Sequence, residues 1–173
     1  MKKVIVIVAF CLLGNIAFAQ NSEFINFYNK YSTNQDFTVV SVNERMISLF
    51  SNLEADNPED QAALDAVSKI KGIKLIANQK TNKSSALYGE AKKAFERGYD
   101  ELMVVRDKDS NMQFLIKESG GKISELVMLV GSDSSFVAAS IYGDIDLKQM
   151  SKMGKSLNIS GMENLKQLED MDE

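Results

Sequence analysis

From Ser22 to Tyr31, Phe24, Phe27, Tyr28 and Tyr31 recur at helical spacing and form one aromatic stripe. The spacing predicts a helix that docks this stripe on a sheet. Phe37-Thr-Val-Val-Ser-Val42 is β-branched and bounded by polar residues, so it reads as a strand. Glu44 to Leu53 reads as a helix with Met46, Ile47, Leu49, Phe50 and Leu53 on its apolar face. Asn57-Pro58-Glu59-Asp60 is a helix start: Asn57 can cap, Pro58 suits the first helical position, and the acids favour the positive end of the helix dipole. Ala63, Leu64, Val67 and Ile70 line that helix, and Gly72 is expected to end it before a short strand from Ile73 to Ala77. Ser84 opens a further helix, with Leu87, Ala91, Ala94 and Phe95 facing inward and Gly98 as its left-handed stop.

Beyond Tyr99 the pattern changes to strands. Leu102 to Val105 and Met112 to Lys117 flank an Asp107–Ser110 turn, and Leu115 breaks the alternation of the second. Gly120-Gly121 marks another turn. Ile123 to Val130 and Ser135 to Tyr142 are apolar on both sides, which predicts central strands. The expected fold class is α+β: a mainly antiparallel sheet with a C-terminal four-strand meander and helices packed on it. Leu147, Met150, Met153 and Leu157 predict a closing helix. The expected organisation is a signal peptide over 1–19, one domain over 20–157, and an acidic tail over 158–173.

The signal peptide rests on Lys2 and Lys3, the apolar run Val4 to Leu13, and Ala17-Phe18-Ala19 before Gln20. The run is far short of the roughly 20 residues that span a bilayer. The chain is therefore expected to be exported, periplasmic or secreted, with Gln20 as the first mature residue and no stable membrane anchor. Cys11, the single cysteine, lies inside this segment. Phe10 is too bulky for the position before a lipid-attachment cysteine, so lipidation is not expected. The mature chain then has no disulfide.

The chain carries 20 basic and 24 acidic residues, a net charge of −4, and no histidine. Its acidity disfavours nucleic acid and anionic lipid as partners. Without imidazole or thiol, the usual neutral-pH base, His-activated nucleophiles and ordinary zinc, copper, haem or iron–sulfur ligand sets are excluded. Carboxylates, lysines and hydroxyls remain, and no cofactor is expected.

Lys30-Tyr31-Ser32, Thr38-Val39-Val40-Ser41-Val42 followed by Met46, and Gly72-Ile73-Lys74 occur in an order shared with one family. Glu125-Leu126-Val127-Met128-Leu129-Val130 and Tyr142-Gly143-Asp144-Ile145-Asp146-Leu147 extend the match. Over about residues 22 to 157 the chain resembles an exported domain-of-unknown-function family common in the Bacteroidetes. The resemblance implies an extracytoplasmic location, a compact α/β fold and no established activity. It also implies a gene neighbourhood with envelope-stress sigma and anti-sigma factors, and it carries over no site residue.

Three clusters could carry chemistry. Asp107, Asp109 and Asn111 place oxygen ligands at alternate positions, and Glu118 falls where a calcium loop has its last ligand. Met112 stands where such a loop needs glycine, so an Asx-rich hairpin turn is the expected reading. Asp144 and Asp146 could form an acid/base pair, but a helix cap after Gly143 is the simpler role. Ser119 and Lys122 have a serine–lysine spacing used by some acylases, yet Gly120-Gly121 makes the segment a turn. The methionines Met103, Met112, Met128, Met150 and Met153 are expected to fill core. The expected function is a non-catalytic binding or sensory module for an envelope protein or small ligand. The alternatives are a hydrolase using carboxylates or the Ser–Lys pair, and a calcium-stabilised structural domain.

Overall fold

The structure is a computed structural model, and it describes residues 22–51 and 57–147. The signal-like segment, Leu53, the closing helix beyond Leu147 and the acidic tail lie outside the described residues. Four helices are described: α1 (Glu23–Tyr31), α2 (Glu44–Ser51), α3 (Pro58–Ser68) and α4 (Ser84–Phe95). Six strands complete the described fold: β1 (Thr38–Asn43), β2 (Ile70–Gln79), β3 (Asp100–Arg106), β4 (Ser110–Ser119), β5 (Lys122–Ser132) and β6 (Ser135–Ile145). They form one antiparallel sheet in the order β1-β2-β6-β5-β4-β3. Strands β3 to β6 make the expected meander. β2 then joins β6, and β1 is left as the outermost strand.

The aromatic stripe explains how α1 docks. Phe24, Phe27 and Tyr28 are buried, and Phe24 stacks on Phe95 of α4 with ring centroids 5.9 Å apart. These residues and Leu87 and Ala91 of α4 pack on Ile76, Leu115, Val127, Leu129, Phe136 and Ala138 of the sheet. Leu115, the break in the alternation of β4, therefore belongs to the helix-covered face. The next residues along the strands, Phe114 and Leu126, turn to the opposite face with Ile145. Met103, Met112, Met128 and Leu147 pack against that second cluster. Both faces of β4, β5 and β6 are thus apolar, which is why the two strands read as continuous hydrophobic runs.

Four expectations need correction. The helix opened by Pro58 stops at Ser68, and Ile70 and Gly72 belong to β2. Gly72 is needed because a Cβ there would overlap the Tyr142 hydroxyl on the adjoining strand. Gly98 is not a left-handed stop: the described positive-φ glycines are Gly120, Gly121 and Gly143. A side chain at Gly98 would instead collide with the Glu23 carboxylate. Ala94 is exposed rather than inward, since the inner face of α4 is set by Leu87, Ala91 and Phe95 at intervals of four. Of the two residues expected to cap a helix, Asp144 or Asp146, Asp144 lies within β6 instead; Gly143 carries φ 149° and sits against the Lys69 carbonyl beside a register break in β2.

Candidate interaction surface

β1 and α2 are consecutive in the chain, and each carries exposed apolar side chains. Val39 is 37% exposed, Val40 41%, Met46 47% and Leu49 63%, the large exposed hydrophobics of the described residues. Of the face expected for α2, Ile47 is buried, whereas Met46 and Leu49 are not. An eight-residue helix can bury only a narrow stripe, and residues flanking Ile47 fall outside it. Asn43 fixes the start of α2 by accepting the Met46 N–H at 3.0 Å. These side chains are therefore held by a capped helix and by β1, whose six residues stay in unbroken register with β2.

A second polar site lies under the N-terminus of α1. Glu125 is only 5% exposed, on the helix-covered face of β5. Its carboxylate accepts hydrogen bonds from Ser140 Oγ at 2.6 Å, Tyr99 OH at 2.8 Å and Ser22 Oγ at 3.3 Å. Ser22 Oγ also accepts the Ile25 N–H at 3.2 Å, so it caps α1 and ties it to the sheet. The positive end of the α1 dipole favours the carboxylate there. Burial, foremost, pushes the Tyr99 hydroxyl far above the usual phenol range, and the Glu125 charge adds to this. Lys117, directly across from Glu125 on β4, turns to Glu23 at 3.0 Å and lies over the Tyr99 ring. This network anchors α1.

Burial tends to raise the Glu23 pKa, but a backbone hydrogen bond and Lys117 outweigh it and hold the carboxyl below its ordinary value. A depressed folded pKa gives stability that is present above the unfolded value and lost as pH falls through the folded one. Lys117→Met should therefore flatten the acid limb of the stability–pH curve, measured by urea melts below pH 5; an unchanged limb would remove the pair from the account.

The sequence-selected residues separate into two ends of the sheet. Asp107, Asp109 and Asn111 lie at the β3–β4 turn, while Glu118 lies at the far end of β4 beside the β4–β5 turn. Strand geometry keeps Glu118 roughly 20 Å from that turn. Among the described residues no group of three or more acidic side chains is placed to hold a metal ion. Asp109 and Asn111, with Lys108, Ser85, Tyr88 and Asp133, line a polar hollow of about 130 Å³ at the start of α4. At the other end Ser119 pairs with Lys122 across the hairpin, and Lys122 meets Asp144 at 2.5 Å. That group is exposed. Asp146 follows β6 directly.

Two features escaped the sequence reading. Glu125 had a signal: it is a lone charge between apolar residues of a central strand, and such a residue needs buried partners. The exposure of Met46 and Leu49 had none, because periodicity marks an apolar face without saying whether anything covers it.

The fold and surface define an α+β protein on a six-stranded antiparallel sheet, with α1 and α4 on one face and one exposed apolar edge. The chain belongs to the family described as Domain of unknown function (DUF4252), which matches residues 31–153. No curated protein and no solved structure matches the chain significantly. No helix among the described residues is long and apolar enough to cross a membrane.

Proposed function

We propose that this chain is a non-catalytic, exported recognition module that binds another protein of the cell envelope, in a sensory or regulatory role. The exposed Val39, Val40, Met46 and Leu49, all on the consecutive elements β1 and α2, carry this reading. Apolar side chains are costly to leave in water, and their concentration in one part of the fold supports an interaction site there. The basic, apolar and small-residue segments ending at Ala19 support export to the periplasm or beyond. The absence of histidine favours binding over catalysis. The calcium alternative draws on residues at opposite ends of β4, and the Ser119, Lys122 and Asp144 of the hydrolase alternative, though gathered at one end, form an exposed group.

A photo-crosslinking amino acid placed at Leu49 in producing cells should give a discrete protein adduct, and the same group at Asp133 should not. Equal labelling at both positions, or none at Leu49, would overturn the reading. Amino-terminal sequencing of the native protein should begin at Gln20; a retained Met1 would remove the export part.

A further inference from the structure

The two edges of the sheet are built differently. β3 carries Asp100, Glu101 and Arg106, and its register on β4 breaks between Glu101 and Met103. Edge charges and bulges block pairing with another strand. β1, Thr38-Val-Val-Ser-Val-Asn43, has no charge, no proline and no register break. Among the described residues it pairs on one side only, with β2. Five of its six residues are exposed. Among the described residues its outer side therefore presents unpaired backbone N–H and C=O groups, the template for adding a strand.

We propose that β1 is a docking strand, on which an extended segment of the partner protein adds to the sheet as a seventh strand. This deepens the recognition reading above and rests on it. The neighbouring side chains define the segment. Val39 continues the row of Ile76 on the helix-covered face, and Val40 and Val42 continue the rows of Leu75 and Ile73 on the other. An incoming strand meets valine on both faces at its centre, so consecutive uncharged, β-branched or aliphatic residues fit there. Asp36, exposed, precedes β1, whereas Glu44 after it is followed by exposed Arg45; lysine or arginine is therefore favoured outside the apolar centre at the Asp36 end.

The probe is a fluorescein-labelled synthetic peptide copying residues 72–77, the stretch of β2 that β1 already pairs with on its inner side. Anisotropy should show saturable binding to the mature chain. Hydrogen exchange should slow across residues 38–43 and not along β3. Peptides N-methylated at alternate residues lose the donors on one side, and at least one of the two should fail to bind wild-type protein. Val40→Lys, checked for a native circular dichroism spectrum, should weaken binding by about tenfold or more. No binding, equal binding of every peptide, or binding without protection of β1 would overturn the proposal. Protection of β1 that rises with protein concentration without peptide would overturn it in favour of a second copy. Leu49 adducts that persist while the peptide fails leave the recognition reading intact. Loss of those adducts removes that reading, and with it the partner assigned to the strand.

Discussion

Phe24→Ala is expected to lower the unfolding free energy by about 3–5 kcal/mol, the range for deleting a fully buried aromatic side chain. Phe24 has no exposed surface. It stacks on Phe95 at 5.9 Å and on Tyr28 at 6.3 Å, where α1 meets α4. Removing the ring takes away its burial and leaves a cavity that neither helix can close. α1 is too short to be stable alone, so loosening this junction loosens the whole helix. Urea melts should show a lower midpoint at an unchanged slope. Phe24→Leu, which fills part of the space, should cost markedly less. A loss under about 1 kcal/mol for the alanine variant would mean the aromatic junction does not hold the helix layer.

Tyr99→Phe is expected to cost about 1.5–3 kcal/mol, the range for a hydrogen bond to a charged group. The substitution keeps the ring and deletes one of the three hydroxyls that serve the buried Glu125 carboxylate. That carboxylate then has fewer donors in a site that water hardly reaches. The pH dependence has a definite sign. Burial raises the Tyr99 pKa in the folded state, so the neutral phenol favours folding. This contribution is complete below the unfolded value of about 10 and is lost as pH rises toward the folded one. The gap between wild type and Tyr99→Phe should therefore narrow in alkaline urea melts. A double-mutant cycle with Glu125→Gln should show coupling. Additive effects and a gap that ignores pH would together refute the network.

Much of the fold was legible because its periodicities are strong. The aromatic stripe of α1 sits where helical spacing placed it, and Gly120 and Gly121 take φ 62° and 75° at the hairpin they announced. The misread boundary near Ile70 has a physical cause. Ala63, Leu64, Val67 and Ile70 continue a helical period, but pairing with β1 and β6 claims the chain from Ile70 onward. Gly98 and Gly143 were read by local rules, whereas contacts with Glu23 and Lys69, distant in sequence, decide their roles.

The candidate surface was less legible still. Valines in β1 and apolar residues in α2 look the same in sequence whether they are covered or bare. The outermost place of β1 and the narrow stripe that α2 buries around Ile47 are what leave them bare. The amino acids by themselves determined the element types, the α+β class, the acidic balance and the lack of imidazole, because these follow from local spacing and composition. Tertiary structure alone decided that Glu125 is buried among hydroxyls and that β1 is the outermost described strand. Each of these depends on which strands become neighbours, a long-range pairing that no local pattern encodes.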